Sequence, residues 1–174
     1  MSNYASRFNG YLRSLAARKP APGGGSAVCL IFCLGLSLME KALVYSQDKN
    51  SFLSGYCRDM VLLRSKIQPF IDLDSELFGR IMREKNPEKR AEFIRESERL
   101  IVTLGLSCKG VFLLAKQAKA GIKKGILSDF SIGLECVRVA MTGCLANLEA
   151  NCAMFGRQSK YIRIFRDDLK KWPK

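Results

Sequence analysis

Residues 19–26 read KPAPGGGS and are followed by AVCLIFCLGLSLM at residues 27–39, a run without a charge. Each glycine loses more backbone freedom on folding than any other residue, so three in succession are costly to order. A chain accepts that cost at a flexible hinge, at a turn that requires positive φ, or where the backbone approaches a ligand closely. A glycine turn before a helix also exposes N–H donors at the positive end of the helix dipole, a natural anion site. From these residues alone, a plain inter-helix turn and an anion site remain equally open.

The composition indicates one globular domain with a basic surface. The chain has 174 residues and 48% hydrophobic content, enough to bury a sizeable core and to exclude wholesale disorder. We therefore expect a single domain over residues 1–174, with a basic tail from residue 156. The formal charge of +13 implies an anionic partner: nucleic acid, a membrane surface or a small polyanion.

The side chains that are absent limit the possible chemistry. There is no histidine, which excludes mixed Cys/His zinc sites and Ser-His or Cys-His catalytic pairs. Any acid–base step must use carboxylates, lysines, tyrosines or thiols. The seven cysteines form no CxxC pair and lie in apolar surroundings, as expected for reduced thiols in the cytoplasm.

Neither a secretory signal nor a membrane span is expected. The N-terminus MSNYASRFNGYLRSL is amphipathic and has no apolar signal core. The uncharged run from Ser26 to Met39 is shorter than the roughly 20 residues of a membrane-spanning helix. A helix of this composition is expected to be buried on all sides, at the centre of the fold or against a second copy of the chain. The second option makes a homodimer the expected state.

Apolar residues recur with helical spacing along most of the chain, and no segment alternates with strand period. Ser26 is the expected cap of the long apolar helix, and Pro69 should kink the helix that follows. Asn86 is a plausible cap for a helix with Pro87 at its first position, and Ser128 is the expected cap of the last long helix. The architecture predicted is an all-α bundle of long antiparallel helices, with helices near 4–18, 26–46, 51–82, 87 to beyond 116, and 128–155.

Four polar residues are candidates for a site, each with a structural alternative. Asp74 lies within FIDLDSELF (residues 70–78), where it either has a buried partner or belongs to a solvated face. Asp129 is equally explained by its place in the first turn of a helix. Asn147 and Asn151 share one helix face, where two amides can bind the edge of a heterocycle or bond across a helix interface.

The lysines and arginines suggest a different function, nucleic-acid binding. Lysines cluster between residues 109 and 124, and basic residues recur in the tail. A nucleic-acid binder would show aromatic stacking partners or a recognised module, and none is visible. Solvated basic faces are therefore favoured, but a basic helical scaffold that binds nucleic acid stays as an alternative.

Three segments together resemble the formimidoyltetrahydrofolate cyclodeaminase and methenyltetrahydrofolate cyclohydrolase family. KPAPGGGSAVCLIFCLGLSLM resembles the family's PGGGS signature, and IDLDSELF resembles its DxxAF segment, with Asp74 at the acidic position. ILSDFSIGLECVRVAMTGCLANLEANC (residues 126–152) resembles its SD…N-x-x-x-N stretch. The order and spacing agree from about residue 7 to residue 155.

The resemblance implies a dimeric, all-helical enzyme that acts on a tetrahydrofolate one-carbon adduct without a metal or other cofactor. It would close a formimino carbon between two folate nitrogens with loss of ammonia, or open the methenyl bridge with water. The resemblance makes Asp74 and Asp129 the candidate catalytic groups. It also makes the loop and the two amides the candidate folate-binding residues: Pro22, Gly23, Gly24, Gly25, Ser26, Asn147 and Asn151.

The chain departs from the family pattern at several positions. Val44 and Ser46 stand where a threonine and a glycine are usual, Gln47 or Asp48 replaces a basic residue, and Cys152-Ala153 stands where a lysine commonly follows the second asparagine. Gly105 lies near the place of an expected proline. A folate-binding relative that has lost catalysis is therefore a second alternative.

Spacing adds a geometric constraint. Asp129 and Asn147 are eighteen residues apart, about 27 Å along a straight helix. Both cannot touch one small reacting centre within one subunit. Either different parts of a long folate contact them, or the site is built across a dimer interface, which is the favoured interpretation.

Overall fold

The computed structural model describes residues 3–47 and 51–172, and within these ranges the chain is an all-α bundle, as predicted. Two single-turn 3-10 helices, Lys119–Gly121 and Lys124–Ile126, occupy the lysine-bearing segment. The α-helices are α1 (Tyr4–Ala16), α2 (Gly24–Ser46), α3 (Ser51–Ile67), α4 (Phe70–Arg83), α5 (Pro87–Ala118), α6 (Leu127–Phe155) and α7 (Tyr161–Lys170).

Helix α2 is the centre of the bundle, and α6 packs antiparallel along its length. Val28, near the start of α2, packs beside Gly143 in the C-terminal half of α6. A Cβ atom on Gly35 would lie 2.7 Å from the carbonyl oxygen of Gly133, and one on Gly133 would lie 2.7 Å from that of Gly35. The two helices therefore approach so closely that their crossing point has no room for side chains.

Four more helices pack against this pair. Helices α3, α4 and α5 pack on α2 or α6, and α7 packs on α6 and α5. The tail is partly helical, as predicted, and it is anchored. Phe165 is fully buried against Gly105, and Trp172 stacks on Phe112 with ring centroids 4.1 Å apart.

Three predicted local features differ in the structure. Helix α2 begins at Gly24 after an extended Gly23, so Ser26 lies in the first turn and is not the cap. Helix α6 begins at Leu127, so Ser128 is not its cap either. The helix predicted from 51 to 82 is interrupted at 68–69 instead of kinked, because Pro69 has no N–H to continue the helical hydrogen bonds. The predicted start of α5 is confirmed: the Asn86 side chain accepts from two backbone N–H groups.

In the part of the chain that the structure describes, two helices are long and apolar enough to cross a membrane by length and composition. They are α2, with a mean hydropathy of 2.0, and α5 with its short extension to Gly121, and half of each apolar window is buried inside the fold. The 23 residues of α2 exceed the fourteen-residue run considered in the sequence, so length alone does not exclude a span. Burial inside the bundle gives these helices the character of core helices.

Candidate functional site

A cavity of about 130 Å³ lies at the N-terminal end of α2, where α4, α5 and α6 converge on the glycine loop. Its polar side chains are Asp74, Ser97, Asn147 and Asn151. The loop contributes backbone, and Phe78 and Ile101 contribute apolar surface. Residues far apart in sequence thus form one small polar chamber.

Asp74 reaches the cavity because it belongs to the buried stripe of α4. Leu77 and Ile81, three and seven residues further on, are fully buried, so position 74 faces the same way. The solvated-face alternative is therefore wrong. The carboxylate lies against the N-terminus of α2, where the Ser26 backbone N–H donates to it and the helix dipole favours a negative charge.

The glycines of the PGGGS segment leave room for two side chains of the cavity. A Cβ atom on Gly25 would overlap the carboxyl group of Asp74, and one on Gly24 would lie 3.1 Å from Oδ1 of Asn147. Glycine at both positions therefore lets the backbone approach these two side chains. The anion at the helix terminus is a carboxylate of the chain itself.

Burial raises the pKa of Asp74, and the hydrogen bond from Ser26 opposes that shift. Desolvation disfavours the charged form, because the low-dielectric surroundings solvate a carboxylate poorly. A carboxyl group with a raised pKa accepts and returns a proton more readily at neutral pH than a solvated aspartate does.

The cysteine thiols are poorly suited to proton transfer at neutral pH. Burial raises the pKa of Cys29, and the negative charge of Asp74 raises it further. Burial also raises the pKa values of Cys33 and Cys108. All seven cysteines are free of disulfides. These three thiols stay neutral and behave as small core residues, as the sequence predicted.

The predicted binding residues divide into two groups. Gly23, Gly24 and Gly25 line the cavity with both asparagines. Pro22 and Ser26 belong to the loop but are not among the lining residues; the Ala21–Pro22 peptide is cis. The Ser26 hydroxyl points to α1, where it shares a hydrogen bond of 3.1 Å with the hydroxyl of Tyr11.

Asp129 lies at the opposite end of the α2–α6 pair. Its carboxylate pairs with Nζ of Lys41 at 2.6 Å, seventeen residues along α2 from Gly24, or about 25 Å. The structure therefore brings Asp74 and the asparagines together and leaves Asp129 outside their cavity. This separation agrees with the constraint drawn from sequence spacing.

Ser97 was not identified from the sequence. It is 8% exposed on α5, three residues after Ile94 and four before Ile101, and so belongs to an otherwise apolar stripe. A polar residue at a core position of an amphipathic helix is the signal that marks it.

The positions that depart from the family pattern lie away from the cavity. Val44 and Ala153 are exposed, and neither lines it. Ser46 is buried, where its hydroxyl donates to the Ala42 carbonyl and accepts from the Lys123 backbone N–H. Gly105 accommodates the ring of Phe165. Asp48 lies outside the described residues.

Comparison with known proteins agrees with this fold. The fold resembles the crystal structure of formiminotetrahydrofolate cyclodeaminase from Thermotoga maritima, with a TM-score of 0.77, 16% identity, and coverage of 92% of this chain and 85% of that one. No curated sequence showed significant similarity. The profile of the formiminotransferase-cyclodeaminase family matches residues 7–169. The chain therefore belongs to the formiminotransferase-cyclodeaminase family.

Proposed function

We propose that this protein is a cytoplasmic, homodimeric enzyme of folate one-carbon metabolism that converts formiminotetrahydrofolate to methenyltetrahydrofolate with release of ammonia. Family membership supports the substrate class, and the name of the Thermotoga protein supports the reaction. The observation that carries the proposal is the partly buried Asp74 carboxylate beside two amide side chains in one cavity. The free thiols agree with a reducing compartment.

The reaction needs one proton to move. Folate N10 attacks the formimino carbon, the N10–H proton leaves, and the C–N bond to the amine breaks. The leaving amine takes up one proton to depart as ammonia, and the methenyl bridge retains the positive charge of the protonated formimino group. Asp74 accepts the proton from N10 and returns it to the amine, so one carboxyl group serves both steps. No histidine is required.

The amides and the hydroxyl around Asp74 have complementary roles. Asn147 and Asn151 each offer one acceptor and two donors, which suits the alternating donors and acceptors of a pterin edge. Ser97, on the α5 wall of the cavity, offers a hydroxyl toward the same space. These groups orient the folate, while the Asp74 carboxylate faces the growing positive charge on the one-carbon unit and stabilises it.

Absorbance of the methenyl species tests the proposal. With purified protein, we expect it to rise on addition of formiminotetrahydrofolate, and Asp74→Asn to abolish the rise. Accelerated loss of absorbance from methenyltetrahydrofolate alone would assign a cyclohydrolase instead. Binding of both folates without turnover would assign a catalytically inactive relative. If the protein binds neither folate and binds RNA in a salt-dependent manner, the proposal is wrong.

An apolar face along the α2–α6 pair supports the homodimer. Leu34, Ile132 and Val139 are each about half exposed, and a groove of about 390 Å³ between Ile31 and Cys136 lies among them. A second copy of the same face would bury these side chains around a two-fold axis.

Dimerisation through this face would explain how Asp129 could contribute to the same site as Asp74. Leu34 lies nine residues from Gly25 and seven from Lys41, or about 13 Å and 10 Å along α2. A two-fold axis near Leu34 and perpendicular to α2 would bring Asp129 of the second copy, with its lysine, toward the cavity of Asp74. The cavity itself is smaller than the roughly 300 Å³ of ordinary ligand sites, so a folate must extend beyond it.

Mixing two inactive variants tests this composite site. We expect Asp74→Asn and Asp129→Asn each to be inactive alone, and their mixture, after subunit exchange, to recover about one quarter of wild-type activity. Heterodimers then hold one site with both aspartates intact. With Ile132→Glu added to both chains, light scattering should report monomers and no recovery. Full activity of Asp129→Asn alone would remove it from the site.

A further inference from the structure

Helix α1 meets the N-terminal end of α2 at Tyr11. No residue of α1 is fully buried, and Tyr11 is half-buried together with Ser14 and Leu15 on the same side of the helix. The Tyr11 hydroxyl shares a hydrogen bond of 3.1 Å with Oγ of Ser26. Tyr11 therefore links α1 to the residue whose backbone also contacts the Asp74 carboxylate.

Ser26 directs its two polar groups to different partners. Its backbone N–H donates to the Asp74 carboxylate, whereas its hydroxyl bonds to Tyr11. Ser26 is only 1% exposed, so water does not replace Tyr11 readily, and a buried hydroxyl without a partner is unfavourable. The Tyr11 hydroxyl therefore fixes the direction in which the Ser26 hydroxyl points.

The Asp74 carboxylate is the other group that the Ser26 hydroxyl can reach. Oγ is three bonds from the backbone nitrogen that already donates to Asp74, and rotation about the Cα–Cβ bond can turn it from Tyr11 toward the same carboxylate. A hydroxyl that donated there would stabilise the charged form and lower the pKa of Asp74. The bond to Tyr11 prevents this second hydrogen bond, which would oppose the effect of burial.

The other groups around Asp74 do not compensate for such a change. Helices α5 and α6 contribute only neutral side chains to the cavity, Ser97 among them, and burial keeps the nearby Cys29 thiol of α2 neutral by raising its pKa. On α4 itself, Asp72 and Glu76 do not line the cavity, and both arginines of α1 are exposed. The hydrogen bonds from Ser26 therefore have a large influence on when Asp74 ionises.

We propose that Tyr11 is a positioning residue for the proton transfer, because its hydrogen bond keeps the Ser26 hydroxyl away from the Asp74 carboxylate. The proposal rests on the proposed function, in which Asp74 carries the proton. Tyr11 is not among the residues that line the cavity, so it acts through Ser26 and not on the folate. Helix α1 thereby becomes part of the site, since its displacement would release the same hydroxyl.

Tyr11→Phe tests the proposal because it retains the ring and removes only the hydroxyl. The freed Ser26 hydroxyl should turn to Asp74, so the acid limb of turnover of formiminotetrahydrofolate should move to lower pH. A weaker base accepts the N10 proton more slowly, so kcat at neutral pH should fall about three- to tenfold. KM should not change, because Tyr11 touches no folate. Tyr4→Phe, at an exposed tyrosine of the same helix, is the matched control and should behave as wild type.

Removal of the Ser26 hydroxyl separates this role from a structural one. Ser26→Ala keeps the N–H that donates to Asp74 and has no hydroxyl to reorient, so its acid limb should stay at the wild-type position. In that background Tyr11→Phe should no longer move the limb. A limb that Tyr11→Phe leaves in place, or moves equally in both backgrounds, would overturn the role of Tyr11 alone. Absence of turnover in the wild-type protein would overturn the proposed function, and this inference with it.

Discussion

Asp74→Asn is expected to lower turnover of formiminotetrahydrofolate by about 10² to 10⁴-fold, the range of a lost general acid–base group. Asparagine has nearly the same shape and can still accept the hydrogen bond that the Ser26 N–H donates to Asp74. It cannot carry a proton. Folate affinity should therefore change little while turnover collapses. The measurement is the methenyl absorbance assay, with folate binding followed separately.

The wild-type pH profile should show the same group. Asp74 accepts the N10 proton only when ionised, so turnover falls as pH drops through the pKa of Asp74. Because burial raises that pKa above 3.8, the acid limb should lie above the value of a solvated aspartate. Asp72→Asn is the matched control: it removes an exposed carboxylate from the same helix and should leave both rate and profile unchanged.

Stability should respond in the opposite sense to activity. The pKa of Asp74 is higher in the folded than in the unfolded chain, so its contribution to the free energy of unfolding is fully present below the unfolded pKa. It is lost as pH rises through the folded pKa. At neutral pH Asp74→Asn should thus be at least as stable as wild type in urea unfolding, with the gap closing under acid conditions. A variant that is inactive because it is unfolded would contradict this assignment.

The helices could be predicted because the sequence signals that form them act over short distances along the chain. The apolar content of α2 and the Asn86–Pro87 start of α5 act within a few residues, and both helices are confirmed. Burial of α2 on all sides is not, since Leu34 and Val44 are about half exposed. The caps at Ser26 and Ser128 were wrong, because a cap preference is small and the chain entering each helix can override it. An extended Gly23 starts α2 without a side-chain cap.

The site was less predictable because its geometry depends on tertiary packing. Asp74 stood out as a polar residue in an apolar setting, but its partner, the Ser26 N–H, lies 48 residues earlier and meets it only when α4 packs on α2. In the sequence, Ser97 resembles any other polar residue. It is recognised as a core position only when the apolar stripe of α5 is known to face the core. Asp129 illustrates the reverse case, since motif resemblance grouped it with residues about 25 Å away.

Gly25→Ala is expected to impair the enzyme by moving the catalytic carboxylate without changing it chemically. The added methyl group would occupy the space of the Asp74 carboxyl group, so Asp74 must turn away from the Ser26 N–H. We expect a loss of turnover of at least about 10²-fold, as for small misplacements of catalytic groups. Overpacking should lower the free energy of unfolding by about 1 to 3 kcal/mol. Turnover and urea unfolding measure the two effects.

Gly110→Ala is the matched control for the change of residue type. Gly110 lies within α5, and a Cβ atom there meets nothing within 4 Å. Alanine should therefore raise stability by about 0.5 to 1 kcal/mol, because glycine is a poor helix former, and leave turnover unchanged. Any loss specific to Gly25→Ala then reflects its surroundings.

A double-mutant cycle identifies the carboxyl group as the cause. In an Asp74→Ala background the space beside residue 25 is empty, so Gly25→Ala should no longer lower stability and should approach the behaviour of Gly110→Ala. The two substitutions are thus expected to be strongly non-additive, as for residues in direct contact. If Gly25→Ala lowered stability equally in both backgrounds, the glycine would be required by the turn itself. Direct contact between the added methyl group and the Asp74 carboxyl group would then not be the cause of the lost stability.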